Sequence, residues 1–202
     1  MLSTWHLLSM LGDSRLLLPM AAILLLAGWR AGTVWHVRWA VALMVVGLIV
    51  LASKLAFLGW GIGVGILNFT GFSGHAAMSV AVWPMTAFIA ASTHRSGKCA
   101  AMLGFGLATA IAYSRIPLNA HSWSEVISGG LLGGVGSAWV LGTISPATRR
   151  LHVGWAALAL AIGCSVPIAF PQVRTHHLVV KMATALSGAA KAFDRSALHG
   201  DK

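Results

Sequence analysis

Residues Trp39–Leu58 read WAVALMVVGLIVLASKLAFL, twenty positions whose only interruptions are one glycine, one serine and one lysine. A run of that length matches the roughly 20 residues a helix needs to cross the hydrocarbon layer of a bilayer. It lacks the apolar–polar alternation of a transmembrane β-strand. Working outward, similar runs recur at Leu16–Trp29, Ala76–Ser92, Cys99–Tyr113, Glu125–Ile144 and Val153–Phe170. The chain is 57% apolar and 9% charged, with mean hydropathy +0.81, whereas a soluble domain carries roughly 25% charged residues. The expected fold is therefore all-α, a polytopic transmembrane six-helix bundle over residues 1–170.

The flanks read differently. Met1–Gly12 is mildly amphipathic, which makes residues 1–15 a candidate interfacial helix. Leu16–Trp29 is short for a crossing, so either its helix starts earlier or the bilayer thins locally. No basic cluster precedes it, and it is expected to be retained rather than cleaved as a signal peptide. Residues 171–202 mix basic residues with Leu, Val, Met and Phe, as expected of a basic tail that is either amphipathic and surface-lying or disordered. Cys99 and Cys164 lie in apolar surroundings without metal-ligand spacing, and read as core residues.

The formal charge is +10, from 14 Lys+Arg against 4 Asp+Glu. These cations sit singly between apolar runs, so a nucleic-acid partner is not expected; they read as topology-setting charges that meet anionic headgroups. The first connection holds Arg30 and Arg38, the third Arg95 and Lys98, the fifth Arg149 and Arg150; the second has no charge and the fourth only Arg115. By the positive-inside bias, loops one, three and five face the cytoplasm and loops two and four share the opposite face. The basic tail falls on that opposite face too, against the bias.

Carboxylates are scarce, and Glu125 is the only one in the membrane-embedded body. It follows His121 by four residues, so both project to one side at a helix start. A carboxylate that near the bilayer needs a partner, and bonded to one imidazole nitrogen it would orient the ring and raise the reactivity of the other nitrogen. On the same face lie Lys54, near the end of the second run, and Arg115, at the end of the fourth. Six glycines between Gly59 and Gly74 would let backbone amides approach a ligand. Ser73, Gly74 and His75 open the third run, where free N–H groups and the positive dipole end favour an anion. Each piece has a plainer reading: Lys54 snorkelling, Ser73 a helix cap, His75 an interfacial histidine, Asn119 a turn residue. Two cations, a helix start, two histidines and a carboxylate on one face together describe a site for phosphate and acid–base or nucleophilic chemistry.

These residues also carry a family resemblance. FSGH (Phe72–His75), then Ser114-Arg115, five residues, His121, three residues and Glu125, resembles the type 2 phosphatidic acid phosphatase superfamily, the lipid phosphate phosphatases, in its bacterial membrane-bound type. That family's signature is a lysine, six residues and Arg-Pro; then Ser-Gly-His; then Ser-Arg, five residues, His, three residues and Asp. The resemblance implies that His121 attacks phosphorus to form a phosphohistidine, that Glu125 orients His121, and that His75 protonates the leaving oxygen. It implies that Lys54, Ser73, Gly74 and Arg115 hold the phosphoryl oxygens, with no metal and no cofactor. The chain departs from the pattern twice. Glu125 replaces aspartate, and Gly61-Ile62 stands where the family has Arg-Pro. Either another donor such as Asn68 substitutes, or the pocket takes a less charged phosphate, or activity is weak or lost.

The expected function is hydrolysis of a lipid phosphate or pyrophosphate at the outer, periplasmic face of a cytoplasmic membrane, with substrate entering sideways from the lipid. The rivals are a lipid-linked phosphotransferase of the same architecture, a catalytically silent lipid-binding or transport protein, and an intramembrane proton relay. Gly129, Gly130, Gly133 and Gly134 form two small-xxx-small pairs suited to helix packing behind the site.

Overall fold

The computed structural model describes residues 3–91, 94–145, 151–172 and 175–199. Ser92, Arg149 and Arg150, used in the sequence reading, lie outside the described residues. The chain runs as α1 (Thr4–Met10), α2 (Ser14–Arg30), α3 (Trp35–Trp60), α4 (Gly74–Ala90), α5 (His94–Ser114), α6 (Trp123–Gly142), α7 (Val153–Ala169) and α8 (Thr175–Ser187), with short 3₁₀ turns at Gly65–Leu67 and Arg195–His199. Among the described residues the only sheet-like pairing is an antiparallel bridge between Val64 and Phe69. The chain is an all-helical polytopic membrane protein. Thr4–Arg30, Trp35–Trp60 and Trp123–Gly142 are long and apolar enough to cross a membrane, while Gly74–Ala90 and Val153–Ala169 are apolar but shorter.

The six expected runs coincide with α2 to α7. Most differences are at the ends, where capping chemistry rather than hydropathy sets the boundary. Asp13 caps α2, its carboxylate accepting from the Arg15 N–H at 2.8 Å. Gly61, at φ +69°, closes α3 in a left-handed turn, its N–H reaching Phe57 O at 2.8 Å. Such a turn is the ordinary end of a helix because glycine has no Cβ to clash there.

α4 is the axis of the bundle, flanked by α5 and α6. Its Pro84 has no N–H to give the Val80 carbonyl one turn earlier. Ser137 Oγ of α6 donates to that carbonyl instead. The buried Trp39 indole of α3 donates to the neighbouring Ala81 carbonyl at 3.1 Å. An unpaired carbonyl in this core would cost about 1–3 kcal/mol, so the proline is tolerated because α3 and α6 supply donors. Contact between α4 and α6 is close enough to need glycine: a Cβ on Gly133 would sit 2.1 Å from Ala77 O, and one on Gly129 2.7 Å from Ser73 O. Gly130 has open space around it and Gly134 only ordinary contact with Val80. One of the two expected small-residue pairs therefore packs a helix; the other does not.

The apolar core gathers Leu17, Met20, Leu24, Trp39, Met85 and Ile111, all fully buried. Met44, Leu48, Leu131 and Val135 point outward, as side chains facing acyl chains should. α1 lies against α5 and α8 against α3.

Candidate active site

The site assembles where α3 and α5 end and α4 and α6 begin. Ser122 caps α6 in a reciprocal box: its Oγ accepts from the Glu125 N–H at 3.4 Å, and Glu125 Oε2 accepts from the Ser122 N–H at 3.1 Å. This arrangement folds the Glu125 side chain back toward the helix start instead of out into lipid. His121, one residue before the cap, is thereby in reach, and its Nδ1 lies 2.7 Å from Glu125 Oε2. A carboxylate only accepts, so Nδ1 carries the proton and Nε2 keeps its lone pair.

Glu125 is fully buried. Oε1 accepts from Thr70 N–H at 2.7 Å and Thr70 Oγ at 2.6 Å. The Arg195 guanidinium lies 3.1 Å from Oε1 and 2.9 Å from Oε2. Burial holds the His121 imidazole below its ordinary pKa, while the Glu125 hydrogen bond pulls the other way. The ring is thus disposed to be neutral near pH 7.

The start of α4 meets the start of α6 directly, through the Ser73 N–H donating to Glu125 O at 3.0 Å. Ser73 is fully buried and caps α4, its Oγ accepting from Ala76 N–H at 3.4 Å. Gly71 and Phe72 lean on α3: Phe72 N–H donates to Ser53 Oγ at 3.1 Å. That contact brings Lys54 alongside Gly74, where a Cβ would lie 3.9 Å from Nζ. His75 is within electrostatic range of Arg115, Asp13, His121 and Lys54, and His121 of Lys54, Glu125 and Arg115. Lys54, Ser73, Gly74, His75, Arg115, His121 and Glu125 therefore gather at one end of the bundle.

Arg115 is held by α1, its Nη1 donating to Ser9 Oγ. Its Nε is buried without a partner. A buried guanidinium N–H costs free energy while unpaired and gains it when an anion arrives. Asn68 sits in a left-handed turn at φ 49° with its side-chain oxygen buried and unpaired, while its main-chain carbonyl accepts from Arg195 Nη1 at 2.9 Å. Asn119 also occupies a left-handed turn, at φ 50°. Among the described residues no group of three or more His, Cys, Asp or Glu side chains gathers to hold a metal.

Sequence reasoning missed Thr70, Asp13 and Arg195. Thr70, five residues before His75, could have been suspected from its place in the loop that feeds α4. Asp13 starts α2 beside His75, and its carboxylate pairs with Arg15 at 2.7 Å. Arg195 lies 70 residues beyond Glu125, and no local pattern signals it. The glycines of the second connection have occupants from the chain itself: a Cβ on Gly63 would meet Leu198 at 2.6 Å, and one on Gly61 would meet Phe193 at 3.1 Å.

A family model described as the PAP2 superfamily matches residues 66–149, a range that contains Ser73–His75 and Arg115–Glu125 but not Lys54. An uncharacterized 22.5 kDa protein in the cps region of Klebsiella pneumoniae is 39% identical over 207 residues, covering 96% of this chain and 97% of that protein. No solved structure matches.

Proposed function

Since the chain belongs to the PAP2 superfamily, which supports phosphatase-type activity on phosphate esters, we propose that it hydrolyses a lipid phosphate or pyrophosphate through a phosphohistidine on His121. The observation that carries this reading is the 2.7 Å bond from His121 Nδ1 to a buried Glu125, which leaves Nε2 as the free nucleophile beside two helix starts and two cations.

In the first step Nε2 forms a bond to phosphorus as the bond to the leaving oxygen breaks. His75, taking up a proton together with the anionic substrate, gives it to that oxygen, and Glu125 stabilises the positive charge on the phosphorylated ring. In the second step His75, now neutral, takes a proton from water as the water oxygen attacks phosphorus, and the electron pair of the P–N bond returns to His121. Lys54, the Ser73 hydroxyl, the Gly74 amide and Arg115 hold the equatorial oxygens, with charge stabilisation placed where it develops. The unpaired Arg115 Nε supports this assignment. No metal takes part in these steps. The site faces the outer, periplasmic side of the cytoplasmic membrane, and the substrate's chains remain in the bilayer while its headgroup reaches the site.

The test incubates detergent-purified protein, with chelator present, against a panel of lipid phosphates and pyrophosphates and measures released phosphate. Release that persists in chelator and vanishes in His121→Ala is the expected result. Release surviving His121→Ala would overturn the mechanism, and loss in chelator would point to metal chemistry. A labelled phosphoryl group found on an added alcohol rather than in water would make the protein a transferase.

A further inference from the structure

We propose that Arg195, in the C-terminal tail, is a positioning residue that clamps Glu125, so that the tail is a built part of the catalytic site. The inference rests on the reading of His121 and Glu125 given above. Its starting point is a charge balance. Glu125 is fully buried, and a buried carboxylate without a cation is strongly disfavoured. His121 beside it is disposed to be neutral. Lys54 acts on Glu125 only through space. The one cation in direct contact, among the described residues, is Arg195, which reaches both carboxylate oxygens at 3.1 and 2.9 Å. Its other amino group donates to Asn68 O at 2.9 Å, tying the same guanidinium to the loop that carries Thr70.

The tail is fitted, not draped. Phe193 N–H donates to Leu58 O at 2.9 Å. The Phe193 ring covers Gly61, and Leu198 fills the space that side chains at Gly63 and Gly65 would take, where a Cβ would come within 2.6 and 2.8 Å of it. Loop two and the tail are thus complementary in shape. With Arg195 in place Glu125 stays ionised and both its oxygens are fixed. The Oε2 lone pair aimed at His121 Nδ1 then holds the tautomer that exposes Nε2. Among the described residues the side-chain hydrogen bonds of Arg195 go to Glu125 and to the Asn68 main chain, so it is a support for the carboxylate and not a replacement for the arginine absent at Gly61.

Two readouts on the full-length protein test this separately. Hydrogen exchange of residues 188–199 needs no catalysis: Arg195→Ala and Glu125→Gln should each speed exchange of the tail, while α3 and α6 keep wild-type protection, and the double variant should go no further than either single. In turnover, Arg195→Ala should lower kcat roughly 10- to 100-fold, by analogy with the loss when the hydrogen-bond partner behind a metal-bound histidine is removed, with KM little changed. Arg195→Lys should fall between, methylguanidine should partly restore Arg195→Ala, and Arg195→Ala should cost nothing more in a Glu125→Gln background. Unchanged tail exchange in both single variants overturns the clamp whatever the activity. Multiplying losses in the double variant, or an Arg195→Ala protein with full kcat, overturns its positioning role. If the wild type releases no phosphate from any substrate, the phosphatase reading falls and the exchange experiment still decides the clamp.

Discussion

The bundle has two basic ends, and they use their cations differently. At one, Lys54, Arg115 and Arg195 gather round His75, His121 and Glu125. At the other, Arg30, Arg95 and Lys98 are exposed, and Arg38 donates to Thr143 O at 3.3 Å beside a cavity of about 350 Å³ lined by Gly32, Thr33 and Trp35. Helices start at both ends, so dipoles do not separate them. Acidic residues do: every carboxylate among the described residues, Asp13, Glu125 and Asp194, is at the first end. Positive charge alone sets orientation and meets headgroups. A buried carboxylate that fixes an imidazole turns positive charge into a site.

The contrast breaks most visibly at the proposed nucleophile. His121→Ala should abolish phosphate release, a loss of roughly 10⁴-fold or more, whereas His152→Ala, at the cap of α7 on the other end, should leave the rate unchanged. Comparable losses in the two variants would mean that the ends are not functionally distinct. Next comes the carboxylate. Glu125→Gln keeps the size of the side chain but not the charge that fixes the His121 tautomer, and kcat should drop roughly 10³- to 10⁴-fold, read by phosphate release with KM measured alongside.

Packing sharpens the comparison at the next level. Gly133→Val drives a side chain into Ala77 O and should lower the melting temperature in detergent by several degrees, since overpacking costs about 1–3 kcal/mol or more. Gly142→Ala, in open space at the other end of α6, should leave it unchanged or slightly higher. A smaller effect concerns pH. Attack needs neutral His121, and burial lowers its pKa. The ring therefore stays neutral to lower pH than a free histidine, and the acidic limb of kcat/KM should fall below about pH 6.5. Glu125→Gln, which removes the negative charge that helps to raise this pKa, should move the limb lower still. A limb above that of free histidine would contradict the assignment. Smallest of all, Arg38→Ala should change activity less than about twofold.

What could be read from the sequence follows from the range of the interactions involved. Hydropathy over twenty residues is local, so α3 was visible in Trp39–Leu58 and widened only at its caps. His121 and Glu125 are one helical turn apart and declare themselves by spacing. The meeting of α3, α4, α5 and α6 ends followed from loop charges alone. Arg195 could not be seen, because its partner lies 70 positions away and a tail arginine has no periodic signature. Gly61, Gly63 and Gly65 were read as room for a ligand and instead make room for Phe193 and Leu198; composition shows that space is needed, not who fills it. Likewise, Gly129 and Gly133 differ from Gly130 and Gly134 only in how closely α4 approaches them.

The central claim is that His75 and His121 address one phosphorus atom from opposite sides. The most direct test is a structure of the protein with orthovanadate, which adopts the five-coordinate geometry of phosphoryl transfer. The account predicts vanadium bonded axially to His121 Nε2, His75 hydrogen-bonded to the opposite axial oxygen, and Lys54 and Arg115 on the equatorial oxygens. Vanadate bound elsewhere, or bound to His121 with His75 out of reach of the axial oxygen, would contradict it.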